Sequence, residues 1–575
     1  MKKKFWDIVS LGFLRGYESA VILLLVIFLV ALADKLFYYF IFENLLSSVI
    51  REPAALLKEG NWISFAPEAW LSLLGLVLGT LIIVISVASQ STPKLIDLYT
   101  GDQTSLWYIW YIIVGSVHNL LLQLSTLNQP KNINNALSDA LLNTYVMLPL
   151  ALLLAVPYVL YILRYTKTSN VIDKIYKNNI QRMQRLAYKA SMGRLKEEKV
   201  RYRFQFEMFE ALNQLDDLLE YVSFKEPKGD IMNKISLSIQ KFIKIKEELK
   251  QHCPDFFVIS EQIRQDVSFK TMIGQFEEMQ KSATFYEQKG FRLLGNAYIK
   301  LIEDEEFDLA SLCAFELSEC GRVAIENQDE ALINVVLIRF NTLIRFGIKH
   351  GLKNREARNL YNAIFHYSEF IRYIVGYKNK ELIDKSCSYL NFYINEIYQH
   401  SRKEKPFSFL VDVFTWEFKR VLIEMTEKKL GVDLQKKILG YFLKIDNLSD
   451  NYEEPPLKGK KFSNGIRGLQ ISLALYYLKS KEMSLAESII IDILNDHELM
   501  GRDALRKEIA NTCKTLNDQG KNFFEDTDRG NLNIYYSDDK DMIPQFEELF
   551  ENMLQDFTVI SKNVRPPGNI KNPEA

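Results

Sequence analysis

The chain has 575 residues, too many for one hydrophobic core, and 48% of them are hydrophobic against 25% charged. Lys+Arg 71 against Asp+Glu 72 leaves a formal net charge of −1, which excludes an overall basic footprint for nucleic acid. Glycine and proline are sparse (25 and 15), so the composition predicts an all-α fold rather than a sandwich or a disordered chain.

Four apolar runs precede residue 166: 17–42, 70–88, 106–124 and 145–163. Each is about 18–25 residues, enough for a helix to cross a hydrocarbon layer of about 30 Å. The first follows Lys2, Lys3 and Lys4 as a signal peptide would. It has no small-residue cleavage site and continues past Asp34 and Lys35 into LFYYFIF, so it reads as a retained span. Lys and Arg crowd the N-terminal flank and residues 164–189, whereas the intervening outer loops hold only Arg51, Lys58 and Lys131. That asymmetry predicts a four-helix transmembrane bundle with both ends cytoplasmic. Trp107, Tyr108, Trp110 and Tyr111 are then expected at the inner headgroup level.

Within the spans, Gly75 and Gly79 form a GxxxG that favours close helix packing, within one chain or in a homo-oligomer. The third run carries a polar stripe of Ser116, His118, Asn119 and Gln123 beside Gly115. Such a stripe avoids lipid, and it reads either as interhelical hydrogen bonding or as the lining of an ion path with His118 titrating. Asp34 falls at a similar depth on the first run, and Pro149 and Pro157 predict kinks in the fourth.

Between the second and third runs, Thr92 followed by Pro93 reads as a helix N-cap with proline at the first helical position. The stretch QSTPKLIDLYTGDQ resembles the corresponding loop of a bacterial family of predicted four-pass inner-membrane proteins of unknown function. The matching residues are Gln90, Thr92, Pro93, Lys94, Leu95, Ile96, Tyr99 and Asp102, with Lys94 where that family more often has arginine. The resemblance covers about the first 170 residues. It implies a bacterial inner-membrane setting and no particular mechanism.

Residues 167–223 are predicted as a basic juxtamembrane helix, with a kink near Ser191–Gly193 and its Lys and Arg side chains against anionic lipid headgroups. From 224 to 560 amphipathic segments of helical period follow one another, separated by polar joints. These joints include 225–229, 303–306, 321–328, 351–354, 376–380 and 446–462. This predicts a cytosolic α-helical domain, either an α-solenoid of tetratricopeptide-like helix pairs or an irregular bundle. In LALYYLKSKEMSLAESIIIDIL, Ala474, Tyr477, Ala486 and Ile490 have offsets that let paired helices interlock.

Arg339, Asn341, Arg345 and Lys349 interrupt an apolar helix, and with Arg358 on the next they suggest a pocket for an anionic ligand, or internal ion pairs. Asp526, Asp528 and Gly530 resemble a calcium loop only in part and read as a surface turn. Asn533–Tyr536 is the one short strand considered, and the tail 561–575 is expected to be disordered. Five cysteines without a CxxC pair suit a reducing compartment. No phosphate loop, GxGxxG, GxSxG, HExxH or Cys/His cluster is present, so no catalytic, cofactor or metal residue is nominated. The sequence therefore favours a membrane protein whose helical domain binds a protein or small signal and couples it to the bundle. The competing readings are a gated channel or transporter and a membrane-anchored enzyme.

Overall fold

The structure, a computed structural model, describes residues 2–46, 48–50, 61–91, 103–127, 133–165, 167–266, 269, 273–401, 406–445, 464–496, 501–522 and 533–560. Within helices, the side chains of 2–18, 61–64, 87–91, 358–359 and a few further positions also lie outside the description. The QSTPKLIDLYTGDQ loop beyond Ser91, the outer-loop Arg51, Lys58 and Lys131, the partial calcium loop and the tail 561–575 fall outside it too. Regular structure among the described residues is entirely helical. Asn533–Tyr536 is a turn rather than a strand. Its side-chain Oδ1 accepts from the Tyr535 N–H at 3.0 Å, and the Tyr536 N–H bonds back to the Asn533 carbonyl at 3.1 Å.

The chain divides into two units, Met1–Asn178 with Glu210–Ile231, and Asn179–Phe209 with Met232–Ala575. In the first, α1 (Lys2–Phe37) continues as a π-helix over Tyr38–Leu46. It is followed by α2 (Asn61–Ser91), α3 (Gln103–Leu127), α4 (Ile133–Leu142) and α5 (Leu148–Tyr165). A π-helical turn, Asn143–Met147, joins α4 to α5, so the fourth apolar run starts at Ile133 rather than near Tyr145. Asn134, Asn135, Ser138 and Asp139 dilute α4 enough to resemble a loop in sequence, yet Ala136, Leu137, Ala140 and Leu142 bury one face of it. The widened turn immediately precedes Pro149, which has no N–H to return to the turn before it. Helix α3 packs on α1, α2, α4 and α5, and the shared core includes Val26, Trp70, Val77, Ile112 and Ala151.

Gly75 and Gly79 approach nothing, because a Cβ built on either has no neighbour within 4 Å. The close approach instead uses Gly115, where a Cβ would lie 2.5 Å from Cη2 of Trp70. The aromatic group of α3 also turns inward. Tyr108 and Tyr111 donate to the carbonyls of Ala151 and Met147, both at 2.9 Å, and Trp110 donates to Ser19 at 3.0 Å. Only Trp107 of the four is exposed.

The predicted basic helix is two helices, α6 (Thr168–Ser191) and α7 (Glu198–Tyr221). Gly193, at φ +63°, ends the first, and the Arg194 N–H reaches back to the Lys189 carbonyl at 2.9 Å. The joint expected at 225–229 lies inside α8 (Lys225–His252), because Pro227 falls in its first turn, where a missing N–H costs nothing.

After the short helices α9 (Glu261–Arg264) and α10 (Phe276–Lys281), the second unit runs through α11 (Phe285–Glu303), α12 (Phe307–Glu326), α13 (Glu330–Asn354), α14 (Arg358–Tyr377) and α15 (Lys380–Ser401). It continues with α16 (Pro406–Glu427), α17 (Val432–Leu443), α18 (Asn464–Lys479), α19 (Met483–Asn495), α20 (Arg502–Asp518) and α21 (Ile543–Ile560). From α11 to α20 each helix packs on the next but one, and nearly all pack on the next as well. Odd and even helices therefore form two layers, an α-solenoid, with α21 closing the end over α18, α19 and α20. Ala474, Tyr477, Ala486 and Ile490 are all fully buried between paired helices.

The joints repeat a local device. Glu305, Gln328, Arg355, Lys429 and Lys481 are left-handed. The N–H after each bonds to a carbonyl five residues earlier, as Glu306 does to Leu301 at 2.8 Å and Glu482 to Tyr477 at 2.8 Å. None of these residues is glycine. Gly321, by contrast, lies mid-helix against the Phe370 ring and serves close packing, whereas Gly351, in the last turn before Arg355, sits against the Glu356 carbonyl at the joint itself. A buried ion cluster ties the start of the array: Lys246 Nζ lies 2.7 Å from Glu287 and 2.6 Å from Asp329, whose other oxygen caps α13.

Candidate functional site

The first unit concentrates its interior polarity on one residue. Asn143, fully buried in the widened turn, accepts from Trp70 Nε1 at 2.8 Å and from Asn119 Nδ2 at 2.7 Å on the same Oδ1. Its Nδ2 donates to the Gly115 carbonyl at 3.3 Å and meets Nδ1 of His118 at 3.1 Å. Nε2 of His118 lies 3.2 Å from Oδ2 of Asp34. The network thus joins α1, α2, α3 and the π turn through residues far apart in sequence. A π-helical turn reorients side chains relative to the flanking α-helix, and here it presents the Asn143 amide to three helices at once.

The contacts fix the chemistry of the imidazole. With Oδ1 of Asn143 accepting two N–H donors, its Nδ2 must be the donor to His118, so Nδ1 of His118 is the acceptor. The ring proton then sits on Nε2 and points at Asp34. The other Asp34 oxygen, Oδ1, is buried with no hydrogen-bond donor among the described residues, and Asp139 of α4 lies near enough to interact electrostatically with both Asp34 and His118.

Of the predicted stripe, His118 and Asn119 belong to this network. Ser116 does not: its hydroxyl donates to the Ile112 carbonyl of its own helix at 2.7 Å. Gln123 is half-buried, one turn beyond Asn119. Asn143 and Trp70 were not singled out as site residues. Asn143 sat in a stretch read as loop, and Trp70 read as the start of an apolar run.

In the second unit the cations of the predicted anionic-ligand pocket are described only in part. Arg345 and Lys349 are exposed, and the Arg358 side chain lies outside the described residues. Asn341 accepts from the Tyr393 hydroxyl, and Arg372 pairs with Glu424 at 3.1 Å. Arg339, on the same helix, lines a cavity instead. All five cysteines are free and buried, and burial pushes the thiols of Cys313, Cys320 and Cys387 up, which disqualifies them as nucleophiles at neutral pH. Among the described residues no group of His, Cys, Asp and Glu side chains could hold a metal ion.

No protein-family model matches the sequence, and no curated protein matches it. A solved structure described as a circular tandem repeat protein with novel repeat topology and enhanced subunit contact surfaces aligns over 86% of this chain and 99% of its own. The identity is 13% and the TM-score 0.26, a likeness too distant to bear on architecture or function.

Proposed function

We propose that this chain is an integral membrane protein whose first four apolar helices cross a lipid bilayer and whose α-solenoid is a binding module coupled to that bundle. The observation that carries it is an inside-out distribution of polarity. Leu24, Phe28, Phe40, Ile82, Leu153 and Val156, each more than 60% exposed, cover the outer faces of the first unit, while Asn119, Asn143 and Ser138 are buried within it. In water that arrangement wastes apolar burial; in hydrocarbon it is the favourable one. Among the described residues five helices are long and apolar enough to cross a membrane, the fifth being α13. Helix α13 carries Arg339, Arg345 and Lys349 and packs between α11, α12, α14 and α15, so it is read as a solenoid core helix.

The positive flanks support a cytoplasmic location for both ends and for the solenoid, and the resemblance of the first 170 residues supports a bacterial inner membrane. Exposed cations on α6, such as Lys177, Arg185 and Lys189, suit contact with anionic headgroups. The test is cysteine labelling with a membrane-impermeant maleimide; the native cysteines are buried, so none needs removal. Lys58→Cys and Lys131→Cys should label in intact spheroplasts and Lys199→Cys only after lysis. Release of the protein by alkaline carbonate, with all three sites equally reactive, would overturn the proposal.

A second reading, a channel or transporter gated by the solenoid, is favoured by one observation: Asp34 and His118 are paired inside the bundle with a buried carboxylate oxygen left without a donor among the described residues. Proton and ion flux into liposomes containing the full chain, compared with His118→Leu, tests it.

A further inference from the structure

A cavity of about 240 Å³ opens between α11, α12 and α13. Its apolar wall includes Phe291, Leu294, Leu317 and Leu343, and its polar side carries two arginines, Arg292 from α11 and Arg339 from α13. Nε of Arg339 is buried with no hydrogen-bond partner, and among the described residues its guanidinium makes no ion pair. Burial disfavours its charged form, and Arg292, of the same sign, disfavours it further. Elsewhere in this unit three buried cations are matched by carboxylates, Lys246 by Glu287 and Asp329, Lys289 by Asp266 at 2.9 Å and Arg467 by Asp496, and Lys419 donates to the Ser472 hydroxyl. Arg339 is half-buried, with its Nε fully buried, and has neither a carboxylate nor a hydroxyl on that atom among the described residues. A guanidinium left unpaired in a low-dielectric wall beside a second one is unfavourable by itself, and an oxyanion between them reverses the sign of the interaction.

We infer that this cavity binds a small organic oxyanion, its carboxylate or phosphate head held by Arg339 and Arg292 and a short apolar body resting on the Phe291, Leu317 and Leu343 wall. The planar fork of arginine suits two-point contact with either head group. The volume lies below the roughly 300–1,000 Å³ of sites for drug-sized ligands, which points to a compact ligand. This rests on reading the solenoid as a binding module and is independent of whether the bundle crosses a membrane. Failure of ligand binding would leave the labelling pattern untouched, and failure of the labelling pattern would leave ligand binding untouched.

The experiment uses the full chain in detergent, titrated with phenyl phosphate, hexanoate and inorganic phosphate, and reads calorimetric heat and thermal shift. Wild type should bind phenyl phosphate or hexanoate saturably, at least tenfold more tightly than inorganic phosphate. Arg339→Met should bind at least tenfold more weakly while melting at the same or a higher temperature without ligand, since it removes an unmatched buried charge. Arg345→Gln, an exposed site on the same helix, should bind as wild type does. Absence of saturable binding in wild type, equal binding in Arg339→Met, or equal losses in Arg339→Met and Arg345→Gln would overturn the assignment. A collapse of Arg339→Met that ligand-free wild type does not share would overturn it as well, because the side chain would then be a structural tie.

Discussion

Replacing Asn143 by leucine should loosen the apolar bundle while leaving the solenoid intact. The substitution keeps volume and apolar contact but removes one acceptor that serves two donors, Trp70 Nε1 and Asn119 Nδ2, and one donor shared by the Gly115 carbonyl and His118. Interhelical hydrogen bonds in membrane proteins average about 0.6 kcal/mol and rarely exceed about 1.7 kcal/mol. Four such contacts sum to about 2–3 kcal/mol, and the fully buried Trp70 indole, with nowhere else to donate, sets the upper half of that range. Unfolding of the full chain by SDS titration in mixed micelles, followed by tryptophan fluorescence, measures the loss. A cycle with Trp70→Phe isolates the indole contact, which should couple to Asn143 by about 0.6–1.7 kcal/mol. A loss below about 0.5 kcal/mol, together with zero coupling in the cycle, would refute the role given to Asn143.

Gly115→Ala should also destabilise the bundle, by about 1–3 kcal/mol, because its methyl would meet the Trp70 ring, whereas Gly75→Ala should be near neutral in the monomer; the same titration separates them. Lys246→Met should cost about 3–5 kcal/mol in chemical unfolding of the solenoid, since it strands the carboxylates of Glu287 and Asp329 in the interior. Lys419, buried and donating to Ser472 at 2.6 Å, has its ammonium pushed down to about 8 by burial, from an ordinary value of 10.5. Between those values the unfolded chain holds a proton that the folded chain has released, so the stability of wild type relative to Lys419→Met should rise with pH across that window. The rise is at most about 3 kcal/mol, read from denaturation midpoints at pH 7.5, 8.5 and 9.5. A flat difference would remove Lys419 as its source.

The elements most legible in the sequence were those with a strong period. The apolar runs that became α1, α2 and α3, and the helix pairs around Ala474 and Ala486, follow from hydrophobic pattern alone. The polar hub was half legible. His118 and Asn119 stood out as polar residues in an apolar run, but Asn143 was hidden because a helix facing other helices can afford polarity that a lipid-facing one cannot, and α4 therefore resembled a loop. Glycine misled at one joint. Gly321 read as the start of a joint but packs mid-helix, whereas the joints at 303–306, 321–328 and 351–354 were legible to within a residue or two; their turning residues, Glu305, Gln328 and Arg355, are left-handed in a way no residue type advertises. The solenoid cavity was illegible for a different reason: Arg292 and Arg339 meet across two helices, and helical spacing relates only residues on one.

Because each helix from α11 to α19 rests on the next but one, and nearly all rest on the next, most helix–helix contacts of that array join helices close together in the chain. Low contact order makes for rapid, stepwise acquisition of structure. As the chain leaves the ribosome, α11 can find α12 and then α13 before α16 has been translated, and each new helix is added to an edge already formed. The unpaired edge at any moment is one helix deep. On the proposed membrane reading, the chain can therefore engage an insertion machinery during synthesis without exposing a large unfinished core behind it.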